Sequence, residues 1–203
     1  KNLNANLQIV VAFRMLPKVV WEMPSLGTFN LHASLLPNYR GAAPINWTII
    51  NGETKTGVTT FFIDDKIDTG AMILNSEIAI EPTENAGQLH NRLMNLGSTT
   101  VIETLKVIEN GNVDTTIQEE NDEIKTAYKL NKENCKIDWT KSGEEINNLI
   151  RGLSPYPSAW CFLKDKNEEL NIKIYEARPI LENHSYEVGK LISSKKEIKI
   201  AIK

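Results

Sequence analysis

Residues 27–63, GTFNLHASLLPNYRGAAPINWTIINGETKTGVTTFFI, decide the fold. Two strand-like runs, Thr28 to His32 and Gly57 to Ile63, flank a stretch rich in breakers, SLLPNYRGAAP. The first run ends on two polar residues two positions apart. On a strand, Asn30 and His32 therefore share one face while Phe29 and Leu31 share the other. A strand buried in a parallel sheet reads apolar on both faces, so an amide and an imidazole at its C-terminal end need a reason. Two readings stand. The strand leaves the core there and both groups are satisfied by backbone, or they line the crevice at the carboxyl ends of the strands, where open α/β sheets bind ligands.

Upstream, LQIVVAF at residues 7–13 reads as another strand buried on both faces, and Pro17 to Met23 as a short helix stopped by Pro24 and Gly27. Downstream, Ala71 to Ala79 predicts a further strand. Ala86, Leu89, Leu93 and Leu96 form a helical stripe over Thr83 to Leu96 that Gly97 ends, and a second helix runs from Thr99 to Glu109. This order of elements predicts an α/β Rossmann-like core with a mostly parallel sheet. The run at 7–13 looks like an interior strand with no strand before it, and the chain opens on Lys1, so an N-terminal piece of the sheet is expected outside these 203 residues.

The composition shifts at residues 113–127, VDTTIQEENDEIKTA, a polar acidic stretch with no periodic apolar face, which reads as a linker. Beyond it Ser142 and Glu145 form a capping box ahead of the stripe Ile146, Leu149, Ile150, with Gly152 as the stop. Four strand-like runs follow, 159–163, 170–176, 189–192 and 198–202, predicting a small β-rich, barrel-like domain. The expected division is a catalytic domain over 1–112, a linker over 113–126 and a C-terminal domain over 127–203.

Composition narrows the class. With 41% apolar and 24% charged residues, the chain has the make-up of a globular protein, and its longest apolar runs are too short to span a bilayer. No membrane role is expected. Cys135 and Cys161 lack metal-ligand spacing and read as free thiols of a reducing compartment, so the cytoplasm is the expected location. Net charge is −3, divided into −7 over residues 1–124 and +4 over 125–203. A basic C-terminal segment on an acidic body suits a polyanion-binding appendage, or else a solvated lysine-rich face.

Asp68, in FFIDDKIDTGAMI, follows the strand that ends at Ile63 and is framed by Ile67 and the Thr69-Gly70 turn, whereas Asp64 and Asp65 read as exposed turn residues. An acid, an imidazole and an amide together suit acyl transfer to an amine. The amide and imidazolium stabilise a developing oxyanion, and the carboxylate supports the imidazolium and helps move a proton from the amine, directly or through a water. No Ser or Cys sits in a nucleophile elbow, which points to direct transfer without a covalent intermediate.

Residues 30–73, beginning NLHASLLPNYRGAAP and ending IDTGAMI, resemble the active-site region of the folate-dependent formyltransferases. The resemblance implies Asn30, His32 and Asp68 as catalytic residues, Ser34, Leu35, Leu36 and Pro37 as part of the folate site, and 10-formyltetrahydrofolate as the formyl donor, with no metal. RGAAPINWTIINGETKTGVT and, later, AYKLNKENCKIDW and SPYPSAW are similar to the branch that formylates initiator methionyl-tRNA for translation initiation. In that branch the second domain is an open, OB-like β-barrel that contacts tRNA. The implied tRNA contacts are Arg40, Lys190, Lys195, Lys196 and Lys199, and the enzyme is expected to act as a monomer.

Alternatives within the class are a formyltransferase acting on an amino-sugar nucleotide and a 10-formyltetrahydrofolate hydrolase. Outside the class stands an inactive tRNA- or folate-binding fragment. Ala12-Phe13-Arg14 departs from the family's Ala-Tyr-Gly, and nothing in the sequence accounts for Arg14. His90 reads as an exposed helical residue, His184 carries no assigned role, and Trp21, Trp47, Trp139 and Trp160 read as core or boundary aromatics.

Overall fold

The computed structural model describes residues 3–12, 15–111, 113–165 and 168–203; Arg14 lies outside them. Its main sheet holds β1 (Gln8–Val11), β2 (Thr28–His32), β4 (Lys55–Phe62) and β5 (Met72–Ala79), in the spatial order β1-β2-β4-β5. Short helices α1 (Lys18–Trp21) and α2 (Pro44–Ile50) and the two-residue strand β3 (Arg40–Gly41) lie in the connections. α2 was not expected from the sequence, although Pro44 occupies its first turn, where a missing N–H costs nothing.

The sheet is mixed rather than mostly parallel. β1 and β2 run parallel, but β2–β4 and β4–β5 are antiparallel. Burial on both faces suggested parallel strands, and β4 acquires that burial another way. Thr60 on one face hydrogen-bonds Thr104 of the long helix at 2.8 Å, while Thr59 on the other holds the loop after β2. Two covering layers make any strand apolar or internally paired on both sides, whatever the direction of its neighbours. Among the described residues β1 pairs with β2 alone, and Ile9 and Val11 are exposed.

α3 (Ala86–Glu109) is one 24-residue helix where two were expected. Asn85 and Gln88 close a capping box at its start, each accepting the other's backbone N–H at 2.9 Å, worth about 1 kcal/mol. Gly97 is no stop. It is a notch: a Cβ there would come within 2.8 Å of Leu31 Cδ2, so the glycine lets β2 lie close under the helix. The packing of Leu31 on this side leaves Asn30 and His32 on the opposite face of β2. Phe29, Ile49 and Leu89 are fully buried in this layer, each contributing about 1.5–3 kcal/mol of apolar burial.

Residues 113–127 are held along β5 and β3. Thr116 forms a backbone bridge to Met72, Gln118 is buried, and β6 (Thr126–Ala127) pairs in parallel with β3. The absence of an apolar stripe hid this strap, because it is fixed by backbone and polar bonds. α4 (Gly143–Leu153) starts at the predicted Ser142–Glu145 capping box and packs a core with Cys135, Ile137, Trp160 and Cys161. Both cysteines are free, and burial pushes both thiols above their ordinary range. The remaining strands form two antiparallel pairs, β7 (Ala159–Asp165) with β8 (Glu168–Ile174) and β9 (Leu191–Ser193) with β10 (Ile198–Ile200). Among the described residues these pairs are separate two-stranded sheets and no closed barrel is formed. No helix among the described residues is long and apolar enough to cross a membrane.

Candidate active site

β2 delivers Asn30 and His32 to one face, both buried. The chain then turns sharply through residues 33–39. Thr59 on β4 shapes this loop: its hydroxyl donates to Ser34 O at 2.7 Å and accepts from Leu36 N–H at 3.2 Å. Ser34 in turn donates to Asn38 O at 2.7 Å. Leu35 reaches back over β4, where a Cβ on Gly57 would lie 2.6 Å from its Cδ2. Ser34 and Leu36 are buried, and Leu35 and Pro37 half-buried, in the loop that follows Asn30 and His32.

The loop also fixes the imidazole. His32 Nε2 lies 2.8 Å from Tyr39 O. A carbonyl only accepts, so this nitrogen carries a proton and the Nδ1 edge remains for chemistry. Nδ1 is 3.7 Å from Asp68 Oδ2. That gap exceeds a hydrogen bond, so both edges can bind a third atom set beside them. Asp68 has φ +54, in the left-handed region that Asp tolerates better than most residues, and its Oδ2 accepts Gly41 N–H at 2.9 Å. Gly41 itself has φ +119, and a Cβ there would meet Ala127 O at 2.5 Å. Only glycine presents its N–H to the carboxylate from this position.

Asn30 completes the group. Its Oδ1 is buried without a hydrogen-bond partner among the described residues. Buried polar atoms are paired in the great majority of cases, and an orphan marks strain or function. A half-turn about the last side-chain bond exchanges its oxygen and NH2, so the orphaned end can serve as donor or acceptor.

Four contributors were missed in the sequence: the Tyr39 carbonyl, the Gly41 N–H, the Thr59 hydroxyl and Gln118. The first two are backbone groups, which a sequence does not display. Gln118 was passed over as one more polar residue of an acidic stretch. The proposed tRNA contacts are dispersed. Arg40 is hydrogen-bonded to Gln118, Lys190 just before β9 and Lys195 and Lys196 in the turn between β9 and β10 are exposed, and Lys199 pairs with Glu182 at 3.2 Å and Glu197 at 3.5 Å. His90 is exposed on α3. Trp160 packs in the C-terminal core, and Trp47 donates its indole N–H to Tyr128 O at 2.7 Å.

Residues 1–105 match the family model described as formyl transferase, and residues 129–203 match the formyl transferase C-terminal domain; the chain belongs to this family. It is 90% identical over 203 residues to the methionyl-tRNA formyltransferase of Flavobacterium johnsoniae, a match covering 100% of this chain and 64% of the relative. The same enzyme of Flavobacterium psychrophilum is 69% identical over 202 residues, again covering 100% of this chain and 64% of the relative. The chain thus spans 64% of the length of these curated relatives. An N-formyltransferase from Helicobacter canadensis, crystallised with folinic acid and dTDP-3-aminofucose, superposes with a TM-score of 0.70 at 25% identity, over 96% of this chain and 69% of that one.

Proposed function

We propose that the natural protein carrying this chain transfers the formyl group of 10-formyltetrahydrofolate to the amino group of initiator methionyl-tRNA, as a cytoplasmic monomer. The observation that carries the reading is the orphaned Asn30 amide on the same face as an imidazole whose Nδ1 edge is backed by Asp68. The amine nitrogen attacks the formyl carbon and the carbonyl oxygen becomes an oxyanion. Asn30 and, in the imidazolium form, the Nδ1–H of His32 donate to it. Asp68 takes the proton from the attacking amine through a water, the oxyanion collapses to the new amide carbonyl as the bond from the formyl carbon to folate N10 breaks, and Asp68 returns the proton through the water to the departing N10. Ser34, Leu35, Leu36 and Pro37 line the folate side, where Thr59 keeps their backbone in shape.

The identity of the acceptor is supported by likeness to the Flavobacterium enzymes, which extends through the whole chain. In this proposal residues 1–112 belong to the catalytic domain, 113–126 join it to a second domain, and 127–203 form an OB-like tRNA-binding module built on β7–β10. Arg40 on the catalytic domain and Lys190, Lys195, Lys196 and Lys199 on this module are the proposed phosphate contacts, with Lys199 exchanging its carboxylate partners for phosphate.

The test is formylation of charged initiator methionyl-tRNA by the natural protein and its His32→Ala variant, with an amino-sugar nucleotide assayed in parallel. Incorporation into the tRNA by the parent, reduced at least about a hundredfold in the variant, supports both substrate and site. Incorporation into the sugar alone rejects the tRNA reading.

A further inference from the structure

We infer that Gln118 is a positioning residue for Asp68, through which the strap between the two halves of the chain sets the catalytic carboxylate. This rests on the proposed role of Asp68. Gln118 is 6% exposed, and its amide is used completely. Oε1 accepts from Arg40 Nε at 3.0 Å and Nη2 at 2.8 Å. Nε2 donates to Asp68 O at 3.0 Å and Gly70 O at 2.8 Å.

The two sides of this amide hold the two elements that orient the carboxylate. Arg40 precedes Gly41, whose N–H binds Asp68 Oδ2 at 2.9 Å. Asp68 and Gly70 are the turn that projects the carboxylate, with Asp68 at φ +54. Gln118 therefore sets the separation between the Gly41 donor and the Asp68 backbone, and with it the 3.7 Å approach of Oδ2 to His32 Nδ1. The clamp is anchored on both sides. Thr116 pairs with Met72 through backbone bonds of 2.8 and 2.9 Å, and Tyr39 N–H donates to Lys125 O at 2.6 Å.

The side chain must be an amide of this length. A carboxylate at 118 would satisfy Arg40 but set anionic oxygen against two carbonyls, and an apolar isostere would leave those carbonyls and the guanidinium unpaired. The expected consequence is catalytic. A small displacement of a positioned group lowers turnover by orders of magnitude while the remote folate contacts remain.

The experiment is steady-state formylation by the natural protein with Gln118→Met and Gln118→Glu, each alone and combined with Asp68→Asn. We expect each Gln118 variant to lose on the order of thirtyfold in kcat, with KM for 10-formyltetrahydrofolate within about threefold. In the Asp68→Asn background the same substitutions should change kcat by less than about threefold, since there is no carboxylate left to position. Full multiplicativity of the two losses, or a loss confined to KM, overturns the inference and leaves the role of Asp68 standing. Unreduced turnover of Asp68→Asn alone overturns the underlying reading instead. Circular dichroism checks the fold of each variant, and Gln118→Asn, which keeps the amide but shortens its reach, replaces Gln118→Met if that variant does not fold.

Discussion

Gly41 shows how much of the proposed chemistry rests on backbone. Its φ of +119 and its close approach to Ala127 O leave no room for a side chain, and its N–H is a donor to the Asp68 carboxylate. Gly41→Ala should displace that donor without touching Asn30, His32 or Asp68. We expect a loss of about tenfold to a hundredfold in kcat/KM, the range of one misdirected hydrogen bond to a reacting group. Formylation kinetics at the parental rate would reject this role for the N–H. Asn30 and His32 were legible as a pair because strand periodicity alone puts residues two apart on one face. Asp68 was harder to read. Its position depends on a left-handed backbone conformation and on bonds to Gly41 and Gln118, which are far away in sequence.

At the scale of elements, the strap is secured by a polar cluster built around the buried Tyr39. Tyr39 and Lys125 both hydrogen-bond Glu53 Oε1, and Asn51 Nδ2 donates to the Tyr39 hydroxyl at 3.1 Å. Burial by itself would raise the Glu53 carboxyl, but the hydrogen bonds from Lys125 and Tyr39, with the lysine's charge, outweigh it and hold the group below its ordinary value. Burial, with the Glu53 hydrogen bond, pushes the Tyr39 phenol far up, so it stays protonated. A carboxyl whose folded pKa is depressed stabilises the fold fully above its unfolded value, about 4.3. That contribution disappears as the pH falls from there through the lowered folded value. The fall in urea midpoint between pH 6 and pH 3 should therefore be smaller in Glu53→Gln than in the parent; an equal fall in both proteins would contradict the assignment. The misreading of Gly97 belongs to this scale too. As a local signal glycine ends a helix, yet here it makes space for Leu31, and only the neighbouring strand reveals that.

At the scale of the molecule, the two halves meet where α4 crosses α2. Asn46 Nδ2 donates to Gly152 O at 2.7 Å, Arg151 Nη1 to Glu84 O at 3.0 Å, and Gly87 N–H to Ser154 O at 3.1 Å. Gly152 is the contact point, since a Cβ there would lie 2.6 Å from Ile50 Cγ1 and 3.1 Å from Asn46 O. Gly152→Val should push the helices apart at a cost of about 1–3 kcal/mol, as overpacking of a tight contact does. Urea denaturation measures it, and an unchanged midpoint would show that the crossing is looser than the structure has it. The same crossing joins α4, with β7 packed against it, to the N-terminal half of the chain.

The sequence by itself determined the long strands of the main sheet, most other strand positions, the α4 capping box and the polar pair on β2, because these depend on spacings of two to four residues and on turn chemistry. It also carried the family, through a run of loop residues that chemistry rather than packing constrains. Tertiary structure alone decided the direction of the strands, the continuity of α3 through Gly97 and the course of residues 113–127 along the site. Each of those depends on what lies across a contact between residues distant in the chain: α3 and the loop after β2 on the two faces of β4, Leu31 under Gly97, and Gln118 between Arg40 and the Asp68 turn. No local pattern encodes such a partner, since a buried face or a notch reads the same whichever element fills it.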